Sequence, residues 1–138
     1  MNIALSGALQ VYLNDDLVRE VPNMVVSTGI SFVSSRMHGT SASVMSHLAI
    51  GSDNTAAAAN QTALLTELAR VALTSTTVSG AQVTYVASIP PGTGTGNVTE
   101  AGILNAGSAG TMLCRSVFDA VTKGATDTMQ FNWVLTVS

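Results

Sequence analysis

From Thr128 to Val137 an apolar side chain recurs at every second position. Met129, Phe131, Trp133, Leu135 and Val137 fall on one side; Thr128, Gln130, Asn132, Val134 and Thr136 fall on the other. A period of two predicts a strand with one face in a core. The N-terminal stretch reads the same way: Ile3, Leu5, Leu9, Val11 and Leu13 share a face that Gly7 interrupts. Asn14-Asp15-Asp16 supplies turn chemistry and Leu17 to Val26 a return strand, so a hairpin spans residues 1–26. Pro22 has no N–H to give a ladder, which marks the return strand as an edge or a bulge there.

The middle of the chain is less regular. Ser27 or Thr28 is placed to cap a short helix, with Ile30, Val33 and Met37 on one side and Gly39-Thr40-Ser41 ending it. Val44 to Ile50 reads as a strand closed by a Gly51-Ser52-Asp53-Asn54 turn. Alanine and leucine between residues 55 and 68 favour a turn or two of helix over Thr62 to Leu68. Arg70 to Val78 and Gln82 to Ile89 are β-rich runs joined at Ser79-Gly80-Ala81. A Gly- and Thr-rich loop over Pro90 to Asn97 precedes strands at Val98 to Leu104 and Thr111 to Phe118. About seven to eight short strands and one or two small helices predict an antiparallel β-sandwich, Ig-like or jelly-roll. No linker or repeat divides the chain, so a single domain over 1–138 is expected, with the hairpin able to act as an assembly arm.

Composition gives this sandwich an unusual surface. Charged residues make up 9% of the 138, and the mean hydropathy is +0.40. An ordinary domain carries roughly a quarter charged residues, so most of this exterior must be Ser, Thr, Ala, Gly and Asn. Such a surface is poorly defended against association and suits a homo-oligomer or a protein docked on others. A net charge of −3 with five scattered basic residues, Arg19, Arg36, Arg70, Arg115 and Lys123, argues against nucleic acid as a partner. No apolar run approaches the ~18 to 20 residues of a spanning helix, and the N-terminus lacks the charged and apolar regions of a signal peptide. Synthesis in the cytoplasm, without export or membrane insertion, is the expectation. One cysteine, Cys114, excludes an intrachain disulfide.

Candidate chemistry is sparse. Pro91-Gly92-Thr93-Gly94-Thr95-Gly96-Asn97 resembles a phosphate loop only superficially. It lacks the terminal Gly-Lys-Ser/Thr, and a strand follows it instead of a helix. It reads as a strand connection whose residues Pro91 to Gly96 could touch a partner, as could Leu9, Val11 and Leu13 of the hairpin. His38, His47 and Cys114 have no zinc spacing, and no Gly-x-Ser-x-Gly elbow occurs, so no metal, cofactor or catalytic residue is expected. Cys114 reads as a small core residue. Asn60-Gln61-Thr62 and Asn97-Val98-Thr99 fit the glycosylation pattern but carry no meaning without export. Glu100 stands inside an otherwise apolar strand, and in a chain this short of charge it predicts a structural ion pair with Arg70 or Arg115.

Several segments together carry a resemblance. They include Gly29 with its short helix, Ser46-His47-Leu48-Ala49-Ile50-Gly51, and Thr62 to Arg70. The pattern continues through Val83-Thr84-Tyr85-Val86-Ala87, Gly94 to Ile103, Met112 to Phe118, Lys123 and the terminal strand from Asp127. Read together, these resemble small structural proteins of tailed-bacteriophage virions. The resemblance implies no catalytic residues; it implies a non-enzymatic particle component located in the virion. The chain has none of the repeats or heptads of a fibre shaft. It therefore points first to a capsid decoration or cement protein, a homotrimer bound to the major capsid protein. The alternative is a tail fibre, fibre-base or collar adaptor bound to a tail protein.

Overall fold

The computed structural model describes residues 3–39 and 42–138. The alternating C-terminal segment forms β10 (Met129–Val137), and the N-terminal hairpin forms β1 (Leu5–Leu13) and β2 (Asp16–Pro22). Asn14 and Asp15 take positive φ values of 48° and 72° at the hairpin turn. Such values match the twist of the flanking strands, and Asn and Asp tolerate them better than most residues. With β6 (Ser75–Ser79) and β7 (Gln82–Ile89), these strands make a five-stranded sheet in the order β2-β1-β10-β7-β6. Leu9, Trp133 and Tyr85 lie side by side across it, as do Val11, Phe131 and Ala87, and all six are buried.

The second sheet has the order β3-β9-β8-β4-β5. It comprises β3 (Met24–Val25), β4 (His47–Gly51), β5 (Glu67–Ala72), β8 (Gly96–Leu104) and β9 (Met112–Lys123). Every strand pair is antiparallel in both sheets. The two inner faces share one apolar core, in which Leu48, Ile50, Val98 and Ile103 meet Phe131 and Trp133. The predicted β-sandwich is present.

The edge predicted at Pro22 is a change of sheet. The return strand ends at Pro22, and after Asn23 the chain pairs with β9 of the other sheet through Met24 and Val25. The run read as Arg70 to Val78 likewise divides, β5 lying in one sheet and β6 in the other.

The helix forms as α1 (Ser27–Met37), but neither Ser27 nor Thr28 caps it; Val26 holds the N-cap position and Thr28 donates to the Met112 carbonyl at 2.8 Å. Gly39, at φ 79°, follows its C-terminus; Thr40 and Ser41 lie outside the described residues. The second predicted helix, Thr62 to Leu68, is absent. Residues 52–66 form an irregular strap across the outer face of the second sheet, and Leu65 gives its N–H to a carboxylate of that sheet.

Candidate docking groove and the buried ion pair

Under the strap lies the carboxylate that the sequence singled out. β8 and β9 are each buried over consecutive residues, Glu100 to Leu104 and Met112 to Ser116, because the core covers one face and the strap with α1 the other. Glu100 and Arg115 have fully buried side chains and pair at 3.2 Å. The carboxylate also accepts from the Leu65 N–H at 2.9 Å and the Asp53 N–H at 3.1 Å. Arg115 donates to the Thr55 carbonyl at 2.9 Å and to Gln61 Oε1 at 3.1 Å. One ion pair thus binds both ends and the middle of the strap. A buried charge needs this density of partners to persist. Gly51 makes the room: a Cβ there would collide with the Thr66 carbonyl oxygen and stand 2.8 Å from Glu100 Cγ.

Of the two arginines proposed for Glu100, the structure selects Arg115. Arg70 is elsewhere, held by Glu67 at 2.7 Å and donating to the carbonyls of Ala106 and Ala109. Lys123, also buried, donates to the Pro90 carbonyl at 2.9 Å and so ties the 90–95 loop to β9. In that loop Pro91, Gly92 and Thr95 are exposed, while Gly94 (φ 65°) stands where a Cβ would strike Ile50.

The hairpin residues offered as partner contacts need correction. Leu9 and Val11 are fully buried, so these two side chains serve the sandwich and are unavailable to a partner; Leu13 is partly buried and packs against the core. Cys114 is buried as expected, and loss of hydration pushes its thiol up to about 12. Among the described residues no cluster of three or more His, Cys, Asp or Glu is placed to hold a metal. His47 Nδ1 lies 2.7 Å from the Ser46 hydroxyl.

The feature that sequence reasoning missed lies beside α1. Ile30, Val33 and Met37 do share a side, as their spacing predicts. That side faces a groove of about 870 Å³ between the helix, the start of β1 and the Pro22–Val25 crossover. The helix approaches the sheet instead through Gly29, whose Cα lies so close to Leu113 that a Cβ would meet its carbonyl group. Phe32 and Val33 pack only partly on the core. Ile30 is left 54% exposed and Met37 85%. Ile3, Met24 and Val137 complete the rim, and among the described residues no charged one lines the groove. Half of the strongly exposed large apolar side chains among the described residues collect here. Scattered exposed leucines need no explanation, whereas a contiguous apolar patch marks a surface that is covered in use.

The described residues thus define an all-antiparallel β-sandwich with a strapped outer face and an apolar groove beside α1. Comparison with known protein families, curated proteins and solved structures finds no match.

Proposed function

We propose that this chain is a non-enzymatic structural protein of a bacteriophage virion, a decoration protein that docks as a homotrimer on the major capsid protein and stabilises the shell. The observation that carries the docking reading is the groove: an apolar surface without charge, in a molecule whose buried charges are all engaged internally. Covering it would remove Ile30, Met37, Ile3 and Met24 from water at roughly 25 cal/mol per Å² of apolar area. An uncharged lining selects a neutral partner surface, in keeping with the resemblance to virion components. The exposed tip of the 90–95 loop, Pro91, Gly92 and Thr95, offers a second, polar contact. The alternative placement, in a fibre base or collar, uses the same groove against a tail protein.

The test is incorporation into particles. Ile30→Asp and Met37→Glu place charge in the groove at exposed positions, so the fold should melt as the parent does. Docking should fall at least tenfold, since an unpaired charge in a contact costs more than about 1.4 kcal/mol. Image reconstruction locates the parent protein. Density distributed over the shell supports decoration, a few copies at the tail support the adaptor, and undiminished incorporation of both variants overturns the groove.

A further inference from the structure

The sandwich has four edge strands, and three are guarded against pairing with another chain. β2 carries Asp16, Arg19, Glu20 and Pro22 and has a bulge against β1; Arg19 also donates to the Asp119 and Ala120 carbonyls. β3 is two residues long. β5 bears the Glu67–Arg70 pair and a bulge against β4. These are the devices by which proteins keep edges from joining. β6 has none of them. Ser75-Thr76-Thr77-Val78-Ser79 is uncharged, lacks proline, runs in unbroken register with β7 and is exposed at every residue. It also lies inside a stretch from residue 71 to 99 that contains no Asp, Glu, Lys or Arg.

Val78 shows that this edge overhangs the sandwich. It lies opposite Val83, on the same sheet face as the buried Tyr85, yet it is 70% exposed. A β-branched apolar side chain on a core-directed face, left in water, is a contact without its other half.

We infer that β6 is a strand-pairing site for a second copy of this chain, the two β6 strands meeting antiparallel across a two-fold axis. The occupant follows from what a second copy can offer. Its β2 and β5 edges bring charges, proline or bulges and its β3 is too short, which leaves its own β6 as the matching edge. An uncharged strand meets its copy without like-charge repulsion, and Thr–Thr and Thr–Val neighbours are favourable cross-strand pairs. Full overlap of the five residues puts Thr77 opposite Thr77 of the second copy. A contact of this length buries far less than the ~1,000 Å² of a lasting interface. It is therefore a weak link that gains strength wherever copies are held at high local concentration. The inference stands apart from the groove and from the virion reading, because it is tested in solution.

The test is covalent trapping of the full-length protein. Thr77→Cys, oxidised at moderate concentration, should yield disulfide-linked dimer at least ten times faster than Ala72→Cys on the guarded β5 edge. Cys114 is buried and silent. Val78→Lys added to Thr77→Cys sets two ammonium groups on one face of the joined sheet and should abolish trapping; Val78→Thr should preserve it. Both additions change an exposed side chain, and a parent-like melt confirms the fold. Equal trapping at residues 77 and 72, trapping that survives Val78→Lys, or loss with Val78→Thr overturns the inference.

Discussion

The two sheets share one core but treat their outer faces in opposite ways. The β1–β10–β7 face is open: Gln10, Asn132 and Val86 form one cross-strand row and Ala8, Val134 and Thr84 another, none of them fully buried. The β8–β9 face is roofed by the strap and α1, and a fully buried ion pair lies beneath the roof. The difference teaches where this protein concentrates its specificity. The open sheet needs only an alternating pattern. The roofed sheet must find partners for the charges it covers, and Glu100 and Arg115 find them in each other and in the strap.

Breaking the roof should therefore have the largest effect. Glu100→Ala removes the acceptor of the Asp53 and Leu65 amides and leaves Arg115 buried without its counter-charge. The expected loss is about 3–5 kcal/mol, the range for removing one partner of a buried pair. Denaturant melts give the total. Hydrogen exchange should show the strap amides losing protection ahead of β10; uniform exchange across both sheets would mean that the strap is not a separate unit.

A smaller effect is expected where the sheets are joined. The turn from β9 to β10 is pinned by Asp127, which accepts from Asn14 Nδ2 of the hairpin at 2.8 Å and from the Gly124 N–H at 2.7 Å. The Asn14 hydrogen bond, followed by that of Gly124, holds the Asp127 carboxyl below its ordinary 3.8. A lowered folded value means that the unfolded chain binds the proton first. The contribution is full above the ordinary value and disappears as pH falls through the lowered one. Melting temperatures of the parent and Asp127→Asn should thus differ at neutral pH and converge only as acid carries the pH down through the lowered value. A constant gap would assign the effect to geometry and not to charge.

The same contrast explains what the sequence made legible. Period two identified β10 and β1 because an open outer face lets polar residues alternate with core residues. In β8 and β9 both faces are covered, alternation vanishes, and Glu100 stood out only as a charge among apolar neighbours. Choosing Arg115 over Arg70 required the register that sets β8 beside β9. The helix expected over Thr62 to Leu68 failed because Leu65 gives its amide to Glu100 and Leu64 inserts against Ala49 and Leu104, a tertiary override of local propensity. The α1 stripe was legible, but its direction was not. A helix that docks through glycine leaves its apolar side outward, and hydrophobic spacing cannot distinguish a core-facing stripe from a partner-facing one.

The smallest effect is expected on the open face, where it sharpens the comparison most. Val134 alternates with the buried Trp133 and Leu135 and looks outward between Ala8 and Thr84. Threonine has nearly the same shape and β-branching, and here its hydroxyl would find water instead of an apolar interior. Stability of Val134→Thr should stay within about 0.5 kcal/mol of the parent, as for surface changes away from special features. If this face stays open throughout the protein's working life, particle incorporation should be unchanged as well. Unchanged stability with impaired incorporation would make the open face a contact in its own right, and its uncharged rows would then join the groove proposed for docking.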